Sequence, residues 1–457
     1  SPLPKPVGPS LFTGSVLLGA PTRTSIALKV YSADQSGSVL IEYGTQSGSY
    51  SAATAPMALS AGQPLALALS DLAADTGYYY RLDFQPANGQ LGYGSEHSFH
   101  TARPSASSFS FTVQADSHLD ENSNLDQYRT TLANVLADHA DFHIDLGDTF
   151  MVEKHSDPLT AVLQMAPDQA TVNRRHAYEF GNFGLFAHSV PLFLVNGNHD
   201  GELGWLANGT AQVLPVWATL ARQSYFLNPQ PDGFYSGDTL VEPFVGQRAA
   251  WYAWQWGDAL FVALDPYWNA RVQASKDGWN VTLGERQYQW LTSTLAASTA
   301  KYKFIFLHNL TGGLDGQMRG GVEAAPYFEW GGKNLDGSDG FALMRPGWAL
   351  PIHQLLVRNK VTAVFHGHDH LYARQVLDGI VYQEVPQPSA SNNFNGPQLS
   401  LIYHYASGTI FSSSGHLRVT VTPAGVTGEY VRAWLPTAET ATLINRQIAD
   451  RWTAPVP

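Results

Sequence analysis

The chain has 457 residues, 44% of them hydrophobic and 14% charged, a balance that excludes a disordered polymer and leaves room for two cores. With 26 Lys and Arg against 38 Asp and Glu, the net charge of -12 works against a large polyanionic partner held by a basic surface, so bulk nucleic acid is disfavoured. The lack of any cysteine excludes disulfides, thiolate metal ligation and a cysteine nucleophile.

The chain opens Ser1-Pro2-Leu3-Pro4 without a methionine, which leads to the expectation of a processed form, periplasmic or secreted. Residues 10 to about 103 alternate apolar and polar positions in short runs separated by Gly, Ser, Asp and Pro, the pattern of an all-β module. Ser25 to Tyr31 and Ser38 to Tyr43 are strand candidates. Leu72 to Leu82, with consecutive Tyr78, Tyr79 and Tyr80, looks like the tyrosine corner of a fibronectin type III-like sandwich, in which a Tyr hydroxyl bonds backbone upstream. The reading therefore divides the chain into a β-sandwich over 1–103, a linker over 104–108, a catalytic domain over 109–435 and a C-terminal extension over 436–457.

Past the linker, five apolar runs each end in ligand-type side chains at the carboxyl end of what reads as a buried strand. Phe109 to Val113 runs into Asp116 and His118; Phe142 to Leu146 into Gly147-Asp148; Pro191 to Val195 into Gly197-Asn198-His199-Asp200. Lys303 to Leu307 ends at His308, and Val361 to Phe365 leads into Gly367-His368-Asp369-His370. Helices are expected over Leu125–Leu136 and Gly284–Leu295, and a further strand over Gly257–Leu264 ends at Asp265, whose usual role at such a place is to anchor a loop. His366 and His143 read as core or supporting histidines. Tyr372 reads equally as packing or as lining the site, and Arg374 equally as a phosphate contact or a loop-bracing salt bridge. Strand-rich stretches at Leu417–Val421 and Val426–Ala433 are expected to complete a second sheet. Three long segments, Phe150–Val190, Gly201–Trp256 and Leu310–Trp348, interrupt the strand order as lids or accessory elements, the third leaving His308 directly to hang over the site. No run of about 18 apolar residues is present to span a membrane. Sequons occur at Asn208, Asn280 and Asn309, the last beside His308, where a glycan would obstruct the site.

Carboxyl ends of strands in α/β sheets are where ligand-binding loops converge, so five such ends point to one crevice. The set D-x-H, G-D, G-N-H-D, H and G-H-x-H resembles the calcineurin-like metallophosphoesterases over roughly residues 108 to 375. The resemblance implies a double-sheet α/β (α+β) sandwich flanked by helices, here preceded by the all-β fibronectin type III-like domain. It also implies two divalent metal ions: Asp116, His118, Asp148 and His370 at the first, and Asp148, Asn198, His308 and His368 at the second, Asp148 bridging. The arrangement looks like the purple acid phosphatase branch, with two departures: His118 stands in the first block, and Met151 stands where that branch has a tyrosine. A non-purple relative using Zn, Mn or Fe is the better expectation.

Two metals clamp phosphoryl oxygens and lower the pKa of bound water, so the resemblance implies hydrolysis of phosphomonoesters or small phosphodiesters by a metal-bound hydroxide. By the same resemblance His199 faces substrate as general acid. Asp200 beside it reads equally as a catalytic carboxylate that orients a histidine or as a structural loop carboxylate. The other class of function weighed is a non-catalytic binding or scaffold protein on the same fold.

Overall fold

The structure, a computed structural model, describes residues 11–153, 167–272, 277–311, 313 and 319–455. Alternation along Phe109–Gln114 sends Phe109, Phe111 and Val113 into one core, and the same period places Tyr302, Phe304 and Phe306 of Tyr302–Phe306 opposite them. Ile305 and Leu307 turn to the far face of their sheet. Two sheets thus stack face to face through aromatic rings. Phe111 alone meets Phe142 of its own sheet at 5.7 Å and, across the interface, Phe261 at 5.1 Å and Phe304 at 5.5 Å between ring centroids.

The first sheet has six strands in the order Leu192–Leu194, Phe142–Asp145, Phe109–Gln114, Gly415–Thr422, Gly425–Arg432 and Ile448–Pro455. The first three run parallel and the rest antiparallel. The hairpin 415–432 does not build a second sheet, as its sequence suggested. It extends the first, because Leu417 pairs with Val113 and sends its side chain into the same inter-sheet core. Residues 436–457, set apart above as an extension, supply the edge strand Ile448–Pro455.

The second sheet has eight strands, with Ala259–Ala263, Tyr302–Phe306, Ala363–His366 and Ile380–Glu384 parallel at its centre. Helices Leu125–Ala137, Gln169–Phe183 and Leu214–Tyr225 cover the outer face of the first sheet, while Gly284–Ala297 and Ile352–Arg358 cover that of the second. The N-terminal all-β unit has sheets of three and five strands between Ser15 and His100, consistent with a fibronectin type III-like module. In its corner the Tyr78 hydroxyl accepts the Ala73 N–H at 2.8 Å. This unit docks on the catalytic layers: Leu18 N–H donates to Ala187 O at 2.8 Å and the Tyr80 hydroxyl to His188 O at 2.6 Å. Among the described residues no helix is long and apolar enough to cross a membrane.

Phe111 is fully buried between the sheets, so Phe111→Ala is expected to cost about 3–5 kcal/mol through lost burial and a residual cavity. Denaturant titration checks this, and a midpoint like that of the wild type would show that the inter-sheet core tolerates the cavity.

Candidate metal centre

The five ligand-bearing strand ends are shared between the sheets: Asp116, His118, Asp148 and Asn198 follow strands of the first, and His308, His368 and His370 follow strands of the second. The centre therefore lies at one end of the sandwich, across the seam. Glycine makes the close approach possible. A Cβ on Gly147 would collide with the Gly197 backbone, one on Gly197 with Asp148, and one on Gly367 with Ala115 and Asp116. The loops are further tied by Asp116 N–H to Gly147 O at 2.9 Å, Gly367 N–H to His308 O at 2.7 Å, and His368 N–H to Asp116 Oδ2 at 2.8 Å.

Two groups of ligand-type atoms result, Asp116 with His118 and His370, and Asp148 with His308 and His368, the atoms of each group lying within 4.8 Å of one another. His118 Nε2 is 3.5 Å from Asp116 Oδ1 and 3.7 Å from Asp148 Oδ2, and His308 Nε2 is 3.8 Å and 3.1 Å from the same two oxygens. The groups are thus adjacent. Asp116, His118, Asp148, His368 and His370 all have positive φ, from 53° to 84°, a conformation that costs non-glycine residues energy and concentrates where side chains must be aimed.

A fit to divalent ions follows from which atoms lack protein partners. Asp116 Oδ1, His118 Nε2, Asn198 Oδ1, His308 Nε2 and His368 Nε2 are buried without a hydrogen bond from the protein, and all belong to the expected ligand set. The other nitrogens are occupied where it matters. His308 Nδ1 bonds Leu146 O at 2.9 Å, and His118 Nδ1 faces Asp120 Oδ2 at 3.3 Å, which leaves Nε2 of each ring available to an ion.

Charge reinforces the geometry. Burial works against ionised Asp116, yet the neighbouring imidazoles of His308, His118 and His370 hold it well below the usual carboxylate range. Burial likewise opposes a proton on His118, but Asp116 and Asp120 raise it to about 10, and Asp148 with Asp116 raises His308 to about 9. Protons and divalent cations compete for these nitrogens.

Asp200 is a correction to its expected catalytic role. Its carboxylate accepts four backbone N–H groups, from Gly197 at 2.7 Å, Asp148 at 3.0 Å, Thr149 at 2.9 Å and Phe150 at 2.9 Å, so it staples two ligand loops and orients no histidine. The carboxylate beside His199 is Glu153, with Oε2 2.7 Å from Nδ1, while His199 N–H donates to Asp148 Oδ1 at 2.7 Å. Neither Glu153 nor Asp120 was picked out from sequence. Asp120 follows His118 by two residues, a spacing that was readable, but Glu153 sits in a long insertion without a motif.

Other residues fall where side-chain chemistry suggested. Asp265 accepts Tyr267 N–H at 3.0 Å and pairs with Arg248 at 2.8 Å, as a loop anchor. His143 bonds Thr112 on the helix-covered face, and His366 Nδ1 is 2.7 Å from Glu384. Tyr372 and Arg374 both bond Asp450, each at 2.6 Å, away from the ligands. Asn309 is buried and bonds Leu310 O, which excludes a glycan there in the folded chain. Of the three insertions, residues 154–166, 312 and 314–318 lie outside the described residues. From the third, the Arg319 guanidinium reaches His368 O at 2.7 Å and Asp369 at 2.8 Å, bracing the last ligand loop.

Fold and site together define a metal-dependent hydrolase of the two-sheet kind. Residues 109–372 match the calcineurin-like phosphoesterase family, and the chain belongs to that family and to its phosphoester hydrolases. A structure of PhoD aligns with a TM-score of 0.67 at 14% identity, covering 97% of this chain and 90% of that one. A purple acid phosphatase from yellow lupin (Lupinus luteus) seeds aligns at 0.58 and 14% identity, covering 97% of this chain and 74% of that one. Both likenesses are of fold, and both take in the N-terminal unit. No curated protein sequence matches.

Because His118 and His308 are raised to about 10 and about 9, metal loading is expected to release protons and to tighten as pH rises, levelling off only above about pH 10. Titration calorimetry in buffers of different ionisation enthalpy reads this, and pH-independent affinity without proton release would contradict it. Asp200→Ala is expected to lose both metal equivalents by elemental analysis, although Asp200 ligates neither, because four buried amides lose their acceptor. Retention of two metals would show that the loops hold without the staple.

Proposed function

We propose that the chain hydrolyses small phosphate esters, monoesters or diesters, at a dinuclear divalent centre. In this reading Asp116, His118, Asp148 and His370 hold one ion and Asp148, Asn198, His308 and His368 the other, with Asp148 between them. The observation that carries it is the set of five buried, unpartnered donor atoms on those residues, directed into one space. Two carboxylates, four imidazoles and one amide suit Zn, Mn or Fe. When bound, such ions supply positive charge to phosphoryl oxygens and acidify coordinated water.

The chain's own groups do the rest. Asp116 and Asp148 contribute two negative charges against four from two divalent ions, so the site keeps a positive balance that favours an anionic ester. His199 coordinates neither ion and is the general acid. Its Nδ1–H donates to Glu153, which leaves Nε2 to deliver a proton to the departing oxygen. Its N–H bond to Asp148 fixes its place relative to the ligands.

His199→Ala is expected to keep two metals per chain and to lose about 10²- to 10⁴-fold in kcat on p-nitrophenyl phosphate or its diester, with Glu153→Gln losing less. Metal analysis and steady-state kinetics on the same preparations decide it. Undiminished turnover in His199→Ala would remove this residue from the mechanism.

A further inference from the structure

Helix Gln169–Phe183, part of the first long connection, turns Val172, Phe180 and Phe183 into the apolar core behind the first sheet. The same buried face carries Arg175, a charged side chain with no exposed surface. A guanidinium placed there needs acceptors.

It finds them on two of the ligand loops. Arg175 Nε donates to Phe150 O at 2.6 Å, and Nη2 donates to His118 O at 3.0 Å. Both carbonyls adjoin left-handed backbone, with φ of 53° at His118 and Leu119 and 52° at Met151. Non-glycine residues hold that conformation only where neighbours fix it. The Phe150 peptide is fixed from both sides, since its N–H donates to Asp200 at 2.9 Å and its ring stacks on His176 at 4.0 Å between centroids.

The loop that carries His118 is held differently. Among the described residues Asp200 accepts none of its amides, and the His118 peptide is tied by its own N–H to Asp148 O at 3.0 Å and by Arg175 on its carbonyl. A rigid fork with donors pointing two ways spans both carbonyls, whereas a lysine offers a single point. Asp148 and His308 have other holders, Asp200 and Leu146 O. We propose that Arg175 is a positioning residue for the first ion, aiming His118 Nε2 into the space shared with Asp116 and His370. The proposal rests on the dinuclear reading and gives the first long connection a part in holding metal.

The test is manganese binding to the metal-stripped full chain, followed by calorimetry and electron paramagnetic resonance. Wild type is expected to take up two ions and to show the signal of a coupled pair. In Arg175→Gln one ion should bind about 10- to 100-fold more weakly, the usual size of losing a group that orients a ligand, while the other keeps its affinity and gives an isolated-ion signal. Arg175→Lys keeps the charge and reaches one carbonyl, so it should recover part of the loss; it also carries the test should Arg175→Gln fold poorly. A double variant separates positioning from general loosening: in a His118→Ala background, Arg175→Gln should weaken binding no further. Equal weakening of both ions, or a further loss in that background, overturns the proposal. Wild type that binds no ion ends the dinuclear reading and this proposal with it, whereas two tightly bound ions in wild type and both Arg175 variants alike end the proposal alone.

Discussion

Asp116 and Asp148 are buried carboxylates placed within reach of the same two imidazole nitrogens, and the surrounding structure answers that constraint. Two negative charges taken out of water this close together demand positive charge between them. The two carboxylates raise the proton affinity of His118 and His308, and divalent ions would supply the positive charge more strongly. The same burial that makes the pair costly makes any cation there tightly held.

The scaffold delivers these groups by dividing them between two sheets. Aromatic packing around Phe111 sets how far apart the sheets lie, and so how far His308 sits from Asp148. At the ends of the strands, glycines at 147, 197 and 367 let the loops touch backbone to backbone, and Asp200 collects four amides from two of them. The positive φ values of five ligands are sustained by these contacts. Ligand aim is thus set by backbone tied to backbone, with side chains contributing little freedom of their own.

The long connections surround the centre. The first brings Glu153 to His199, the third brings Arg319 beneath the last ligand loop, and the second, with Trp268, shapes a cavity next to Tyr267.

The five strand ends, the helices at 125 and 284 and the β-sandwich were legible in sequence, because period-two and helical patterns are local and ligand side chains sit a fixed step beyond each strand. Six of the seven candidate ligands, all but Asn198, fall into two adjacent groups for the same reason. Sequence did not reveal that hairpin 415–432 extends the first sheet, since its antiparallel partner Phe109–Gln114 lies hundreds of residues upstream, nor that Ile448–Pro455 then adds the edge strand to that hairpin. Nor did it separate Asp200 from Glu153: both are carboxylates near the motif, and only the folded loops show one surrounded by amide donors and the other beside an imidazole. The chain by itself determined which side chains carry the chemistry, because residue type and spacing along a strand are local properties. The tertiary structure alone decided which of them converge on one centre and which brace its loops, because those placements depend on distances between segments far apart in sequence.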